Sequence, residues 1–243
     1  MSIYETEFEI LASDVDMHRR LRLSRLFTMI QEISIAHTKA LGMGRDKTLD
    51  RGLLWVVTMQ RVDVKRLPVY DEKVKLETWA GRTMHVMFPR YYRMTDEKGQ
   101  TLLTASGFWM LINEKTRAMA FPEKEGIVIP ETKTGFEPSL PSAPKSIDIS
   151  REQVYTVPYS AIDINGHMNN ARYLDVAENV MPAALRARGI SRVTCEYAAE
   201  IRPEDTVTLE TGADENAFYM ACMRDGKRLF RLRFDYQERK SEA

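Results

Sequence analysis

The residue types best suited to chemistry are concentrated in one short stretch, which begins at Asp163 and reads D-I-N-G-H-M-N-N-A-R-Y. A carboxylate, an amide and an imidazole alternate there, at Asp163, Asn165 and His167. The stretch lies between a predicted strand and a predicted helix, and the free N–H groups and dipole of a helix N-terminus favour a developing negative charge. Composition alone fits a second interpretation equally well. Asn and Asp dominate turns, so this could be a polar turn in which Asn169 or Asn170 caps the helix.

One further carboxylate and two cysteines complete the set of reactive candidates. Glu200 lies near the end of a predicted strand, where a carboxylate is most often simply solvated. Cys195 and Cys222 alternate with other strand residues, which is typical of small buried hydrophobic residues. The cysteines and the four histidines, at positions 18, 37, 85 and 167, have no metal-ligand spacing. Two cysteines also form no disulfide framework, which fits a reducing compartment.

The elements that must position these residues occur twice, in the same order, in the two halves of the chain. Alternating patterns predict strands over residues 4–11, 53–66, 73–81, 84–95 and 101–113, and again over 152–157, 192–200, 206–212, 217–224 and 228–237. Helices are predicted over 24–41 and from about residue 171. Each half is therefore an α+β unit made of a strand, one long helix and four antiparallel strands. Two such units placed edge to edge form one continuous sheet with both helices packed inside.

A proline-rich segment separates the two repeats. Five of the ten prolines lie between residues 122 and 144. Proline at this density prevents regular structure and favours an extended connector. The sequence therefore predicts a first domain over residues 1–121, a linker over 122–150 and a second domain over 151–243.

Charge is balanced over the whole chain but not within its halves. The 35 basic and 35 acidic residues argue against a nucleic-acid binder with a broad basic surface. Residues 1–121 hold 19 basic and 15 acidic side chains, a net charge of +4, and residues 122–243 hold 16 and 20, a net charge of −4.

The N-terminus lacks the apolar core of a signal peptide, and no apolar run is long enough to span a membrane. We therefore expect a cytoplasmic protein without membrane insertion.

The stretch that begins at Asp163 resembles the active-site signature of the acyl-acyl carrier protein (acyl-ACP) thioesterases, D-x-N-x-H-x-N-N-x-x-Y. Three further segments are similar to the same family: G-L-L-W-V from Gly52 with R-L-P from Arg66, E-T-W from Glu77, and W-M-L-I-N-E-K-T-R from Trp109. The resemblance spans nearly the whole chain in the right order. The family fold is two tandem hotdog domains, in each of which a curled antiparallel sheet wraps a long helix. That fold agrees with the repeat.

The resemblance implies a set of catalytic residues, Asp163, Asn165, His167 and Glu200. Ile201 stands where plant members have a cysteine, so a cysteine nucleophile at that place is excluded. We expect Glu200, helped by His167, to position and deprotonate a water. Asn165 and backbone N–H groups at the start of the helix would hold the oxyanion. Asp163 would orient the loop, or its carboxylate would itself attack the thioester.

The implied activity is hydrolysis of a fatty acyl-ACP to a free fatty acid and holo-ACP, without a metal or an organic cofactor. The implied partner is an acyl carrier protein bearing a fatty acyl chain, and the enzyme is a monomer or a homodimer. Three alternatives remain on the same fold: an acyl-CoA thioesterase, a non-catalytic acyl-binding protein and a dehydratase. The sequence leaves the length of the preferred acyl chain open.

Only the second half has the complete set of reactive residues. At the aligned positions of the first half Asp16 is kept, but His18 and Arg20 replace the amide and the imidazole. The first half is therefore predicted to bind the acyl chain rather than to catalyse. Trp55 and Met59 are its candidate substrate contacts, although ordinary core packing explains these two residues as well.

Two further sets of contacts are predicted. Asn169 and Asn170 are expected to contact the substrate beside the catalytic residues. Carrier proteins of this type are acidic, so a basic cluster in the first half is a candidate docking site, although a solvated face explains it more simply. The cluster consists of Arg19, Arg20, Arg22 and Arg25.

Overall fold

The computed structural model describes residues 3–238, apart from the side chains of residues 45 and 46. Its first half contains strands β1 (Tyr4–Glu9), β2 (Leu53–Val64), β3 (Lys73–Ala80), β4 (Phe88–Asp96) and β5 (Thr101–Asn113). Its second half contains β6 (Arg151–Thr156), β7 (Ile190–Tyr197), β8 (Thr206–Ala213), β9 (Ala217–Arg224) and β10 (Lys227–Tyr236). Helices α1 (Leu23–Ala40) and α2 (Arg45–Leu49) precede β2, and α3 (Arg172–Val180) and α4 (Ala183–Arg186) precede β7. The predicted order of strand, helix and four strands is thus present twice.

All ten strands form one antiparallel sheet in the order β1-β3-β4-β5-β2-β7-β10-β9-β8-β6. The two halves join where β2 pairs with β7, with Gln60 opposite Cys195 and Val62 opposite Val193. Because this pair is antiparallel and its last partners are Met59 and Glu196, β7 ends beside the middle of β2, and the chain then runs towards the beginning of β2. The loop that follows β7, which carries Glu200, therefore lies next to the first half.

One face of the sheet is packed against the helices. The apolar stripe of α1 is fully buried at Leu26 and Ile30, and Leu174 of α3 is equally buried. On β4 the hydroxyl of Tyr92 shares a hydrogen bond of 2.7 Å with Ser34 of α1. We call this helix-facing side the inner face. Since side chains alternate along a strand, every second residue of β4 counted from Tyr92 also lies on it.

The second helix is shorter than the repeat predicts. α3 ends at Val180, and Pro182 separates it from the short helix α4. Proline has no N–H to donate and its ring disfavours a helical conformation in the residue before it, so Met181 is extended, with φ −67° and ψ 151°. No helix within residues 3–238 is long and apolar enough to cross a membrane.

Residues 122–150, all of which the structure describes, form neither helix nor strand. They are nevertheless packed against the first half. Ile127 and Ile129 are buried in an apolar cluster, and the N–H of Thr132 donates to the carbonyl of Ala80 at 2.9 Å.

Further along, the carbonyl of Ser139 accepts the hydroxyl of Ser106 on β5 at 2.6 Å, and that of Lys145 accepts the guanidinium of Arg233 on β10 at 3.3 Å. The segment therefore forms a strap across the sheet, from the first half to the second, rather than a free tether.

Candidate active site

The loop between β6 and α3 is organised by the carboxylate of Asp163. Its Oδ1 accepts the N–H of Asn165 at 2.8 Å, and its own backbone N–H donates to the carbonyl of His167 at 2.9 Å. Gly166 has a φ of +77°, the left-handed conformation that glycine adopts without strain. Asp163 thus fixes the tight turn that presents Asn165 and His167 on the same loop.

His167 and Glu200, two of the predicted catalytic residues, lie in direct contact. Nε2 of His167 is 2.9 Å from Oε2 of Glu200. The N–H of Met168 donates to the carbonyl of Ile201 at 2.7 Å, so the backbone ties the two loops together one residue after each reactive side chain. The contact between imidazole and carboxylate is therefore held by both backbones.

Arg117 is a third member of this cluster that the sequence reasoning missed. Its guanidinium contacts Oε1 of Glu200, although it comes from the turn after β5 in the first half. The side chain of Asn113 shapes that turn by accepting the N–H groups of Lys115 and Thr116 at 3.0 and 2.9 Å. Arg117 itself has a φ of 59°. The segment that ends in T-R was recognised in the sequence, but its spacing did not indicate a reach into the second half.

The charges around His167 favour a neutral imidazole. Burial lowers the pKa of His167, and the positive charges of Arg117 and Arg202 lower it further, while Asp163 opposes them. A neutral imidazole whose Nε2–H donates to the carboxylate of Glu200 leaves Nδ1 as a hydrogen-bond acceptor. The cluster therefore pairs an anionic carboxylate with a neutral base, where two loops meet.

The remaining predicted residues of the motif lie beside this cluster. Asn165 is exposed, so its amide faces solvent next to His167. Oδ1 of Asn169 accepts the N–H of Ala171 at 2.9 Å, and the carbonyl of Asn170 accepts the hydroxyl of Tyr197 at 3.4 Å. The interpretation of Asn169 or Asn170 as the helix cap was wrong. Ala171 occupies the N-cap position without a side-chain bond, and Asn169 closes the turn that precedes α3.

Trp55 and Met59 are both half-buried on β2. The indole N–H of Trp55 donates to the carbonyl of Met43 at 3.2 Å, and its ring meets Phe88 edge-on at 4.9 Å. Met59 follows a β-bulge and lies opposite Glu196 of β7. Trp55 therefore lies on the inner face, as Phe88 does, whereas Met59, three residues before Val62 opposite Ala105, lies on the outer face. The contact of either residue with substrate stays a prediction, and the two side chains do not line one cavity.

The two cysteines are poor nucleophiles. Cys195 and Cys222 are buried, and burial raises the pKa of both thiols, that of Cys222 to about 12. Ile201, which replaces the cysteine of plant members, has no exposed surface. The described residues thus offer no thiolate next to Glu200.

The loop after β1 repeats the backbone of the reactive loop. The N–H of Asp16 donates to the carbonyl of Arg20 at 2.8 Å, and Oδ1 of Asp16 accepts the N–H of His18 at 2.8 Å. The N–H of Leu21 donates to the carbonyl of Pro68 at 2.8 Å, just as the corresponding atoms do in the second half. The two loops therefore form the same three hydrogen bonds at corresponding positions.

The side chains of that first loop differ from those of the reactive one. Arg20 takes the place of His167, and its guanidinium donates to the carboxylate of Asp16 and to the carbonyls of residues 186–188. Leu67, which precedes Pro68, takes the place of Glu200. This loop therefore lacks the contact between imidazole and carboxylate, which supports the prediction of one active site per chain.

The four arginines of the predicted docking cluster differ in whether their guanidinium groups are free to bind a partner or are already bonded within the protein. Arg20 is bonded as just described, and the guanidinium of Arg25 lies 2.9 Å from the carboxylate of Asp14. Arg19 lies over the ring of Tyr70 at 5.8 Å, and Arg22 donates to a single backbone carbonyl. Arg19 and Arg22 are the exposed members.

Comparison with known families assigns both halves of the chain. Residues 1–127 match the model of the acyl-ACP thioesterase N-terminal domain, and residues 144–238 match that of the C-terminal domain. Among curated relatives, a chloroplastic acyl-ACP hydrolase of Cuphea viscosissima is 26% identical over 87% of this chain and 55% of its own length. A palmitoyl-ACP thioesterase of Arabidopsis thaliana is 22% identical over 98% of this chain and 64% of its own length. The chain thus spans little more than half the length of the curated relatives it matches.

Solved structures share the fold over almost the whole chain. An acyl-ACP thioesterase from Bacteroides thetaiotaomicron superposes with a TM-score of 0.84 at 24% identity, covering 97% of this chain and 98% of its own. A 12:0-ACP thioesterase from Umbellularia californica gives a TM-score of 0.81 at 22% identity, covering 97% of both chains. This likeness confirms the predicted fold class of two tandem hotdog units joined in one sheet.

Proposed function

Since the chain belongs to the acyl-ACP thioesterase family, we propose that it hydrolyses fatty acyl-ACP to a free fatty acid and holo-ACP. The observation that supports this most strongly is the contact of Glu200 with both His167 and Arg117 beside the loop of Asp163 and Asn165. A carboxylate fixed from two sides, next to a neutral imidazole and an exposed amide, suits the activation of a water beside an acyl group.

Water is the nucleophile in this proposal. Each oxygen of Glu200 has two lone pairs, so the carboxylate that binds Arg117 and His167 can still accept a bond from a water. The water oxygen bonds to the thioester carbon while its proton passes to the pair of Glu200 and His167. A water positioned in this way typically gains about 10²–10⁴-fold from general-base assistance.

The tetrahedral intermediate then collapses with loss of the thiolate. Its oxyanion is held by the amide of Asn165 and by backbone N–H groups before α3. The carbon–sulfur bond breaks, and the phosphopantetheine sulfur takes back the proton held by Glu200 and His167. A thiol has a pKa near 8.5, so the thiolate leaves with little help and the enzyme's main task is to stabilise the oxyanion.

The two halves divide the work in this proposal. The first domain, residues 1–121, binds the acyl chain, with Trp55 of the inner face as a contact, and the linker 122–150 joins it to the catalytic domain, residues 151–243. Asn169 and Asn170 contact the substrate beside the reactive loop. The half-buried side chains of Trp55 and Trp109, which pack against an apolar cluster of the first half, support the assignment of acyl binding to that half.

Comparing kcat/KM for acyl-ACP and acyl-CoA of equal chain length tests the proposed substrate. We expect the wild-type protein to prefer the carrier protein and Glu200→Gln to lose turnover of both substrates. A preference for acyl-CoA would make the protein an acyl-CoA thioesterase. Absence of turnover on either substrate would make it a non-catalytic acyl-binding protein, and release of water from a hydroxyacyl-ACP would make it a dehydratase.

Docking of the acidic carrier protein is proposed at the exposed arginines of the first half, Arg19 and Arg22. Such attraction is screened within about 10 Å at 0.1 M salt, so it depends on ionic strength. Reversing both charges to Glu should raise KM for acyl-ACP more than KM for acyl-CoA. Reversal of Lys73 and Lys98, two exposed lysines of the same half, is the matched control. An unchanged KM for acyl-ACP in the arginine variant would make the cluster a solvated face.

A further inference from the structure

In the first half, the last turn of α1 covers the inner face of β3 and β4. His37 and Thr38 of that turn both contact the guanidinium of Arg90 on β4, at 2.7 and 2.9 Å. Arg90 lies two residues before Tyr92, which pairs with Thr78 of β3. The end of the long helix therefore fills the space over this pair of strands.

The corresponding place in the second half lies beyond the end of α3. Strands β8 and β9 take the places of β3 and β4 in the repeat, and Thr211 of β8 pairs with Met220 of β9. Phe218, two residues before Met220, therefore corresponds to Arg90. α3 has nine residues, whereas α1 has 18, and the chain leaves the helix at Pro182. A cavity of about 420 Å³ lies between the end of α3 and the sheet.

This cavity, which we call the α3-end cavity, has an apolar floor and a basic rim. Phe218 and Met181 line its floor and are almost completely buried. Arg151 of β6 and Arg186 of α4 line its rim and are exposed. No carboxylate is found among the described residues that line it. The cavity therefore combines apolar surface with two positive charges that no lining residue neutralises.

Both guanidinium groups of the rim keep donors for a ligand. Arg186 donates through Nη2 alone, to the carbonyls of Asn179 and Met181 at 2.9 and 3.2 Å. The side chain of Arg151 has no hydrogen bond or ion pair within residues 3–238. A guanidinium presents a planar fork of N–H donors that matches the two oxygens of a carboxylate. The rim therefore fits an anionic head group, and the floor fits an apolar tail.

We propose that the α3-end cavity is a second binding site, for a free fatty acid, with the carboxylate at the basic rim and the tail on the apolar floor. The choice of ligand rests on the proposed function, because a free fatty acid is the product of that reaction. The volume of the cavity lies within the range of about 300–1,000 Å³ that is usual for small-molecule sites.

The proposed site is separate from the reactive loop. That loop precedes α3 and the cavity lies at the other end of this helix, whose nine residues span about 13 Å. A fatty acid in the cavity therefore does not contact His167 or Glu200, and binding there can be measured without turnover.

The test is a titration with decanoate, followed by NMR of protein that carries ¹³C in its methionine methyl groups. Met181 lies on the floor of the cavity, and Met181→Leu assigns its resonance. Decanoate should shift this resonance until the site is saturated. Acetate, which lacks the tail, and decanol, which lacks the charge, should shift it far less at the same concentrations.

Arg151→Gln tests the role of the basic rim. Loss of one hydrogen bond to a charged group should raise the Kd for decanoate about tenfold, and the weak effect of decanol should not change. Turnover of acyl-ACP at low product concentration should equal that of wild type, because Arg151 is remote from the reactive loop. Lys227→Gln is the matched control, because it removes an exposed cation beyond the other end of β9 from Phe218, and its Kd should equal that of wild type.

The outcomes separate this site from the proposed function. A protein that hydrolyses no acyl-ACP but still binds decanoate at Met181 loses the proposed function and keeps the site. Shifts confined to methionines of the first half, or a folded Arg151→Gln that binds decanoate as tightly as wild type, would overturn the site. Should Arg151→Gln not fold, Ala183→Phe, which fills the cavity from its rim, should abolish the shift of Met181, and an undiminished shift carries the same refutation.

Discussion

Replacing Arg117 by Met tests whether the first half completes the active site. The guanidinium contacts the carboxylate of Glu200, and its charge lowers the pKa of His167. Methionine keeps an unbranched side chain but removes the charge and the donors. The variant should therefore change both the turnover number and its dependence on pH.

The expected loss of turnover follows from the contact and its exposure. A hydrogen bond to a charged group contributes about 1.5–3 kcal/mol. The side chains of Arg117 and Glu200 are 36% and 33% exposed, so solvent screening places this contact at the lower end of that range. A loss of about 1.5 kcal/mol in the transition state corresponds to about tenfold in kcat.

The expected change with pH has a definite sign. In the proposed mechanism the neutral imidazole of His167 is the active form, so activity falls as pH falls through its pKa. Arg117 lowers that pKa, after burial, which has the larger effect. Without Arg117 the pKa of His167 rises, so the acid limb of the profile moves to higher pH. Arg117→Lys keeps the charge and should leave the acid limb close to that of wild type while still losing turnover.

The assay is kcat/KM for acyl-ACP as a function of pH, which reports the ionisations of the free enzyme. Lys115→Met is the matched control, because it removes an exposed cation from the same turn without touching Glu200. An acid limb of Arg117→Met that coincides with that of wild type, or an equal shift in Lys115→Met, would refute a specific role of Arg117.

Three further predictions address the division of roles among the other candidates. His167→Ala should lower kcat by orders of magnitude while His18→Ala leaves it nearly intact, and equal losses in steady-state assays would overturn the assignment of one site to the second half. Glu200→Gln should lower kcat by about 10²–10⁴-fold, the usual range for general-base assistance, and a loss below tenfold would remove it from that role. Cys195→Ser and Cys222→Ser should each retain turnover in a folded variant, because both thiols are buried and protonated. A large loss of kcat without a loss of stability would instead show that a thiol takes part in the chemistry.

The duplicated fold was predictable because both signals that define it are local. The alternation of apolar residues marks each strand, and the spacing of Leu26, Ile30 and Ile33 marks α1. The length of the second helix was not predicted, although its cause, Pro182, is visible in the sequence. Pro182 has no counterpart in the first helix, so the length of α1 gave no indication of where α3 ends.

The reactive loop was predictable, but its partner from the first half was not. Asp163, Asn165 and His167 fall within five residues of each other, so one motif contains them. The contact of Arg117 with Glu200 depends on which strands form the junction of the halves and on the turn that Asn113 shapes. Pairing between strands distant in the chain leaves no local pattern from which such a contact could be inferred.

Single-turnover hydrolysis of acyl-ACP in ¹⁸O-water tests the central claim most directly. The claim is that Glu200 and His167 activate a water that attacks the thioester. Mass spectrometry of the products should find ¹⁸O in the released fatty acid and an intact protein of unchanged mass. Label in a peptide that contains Asp163 or Glu200 would show that a carboxylate attacked the thioester instead, and the role of Glu200 as the base that activates water would have to be abandoned.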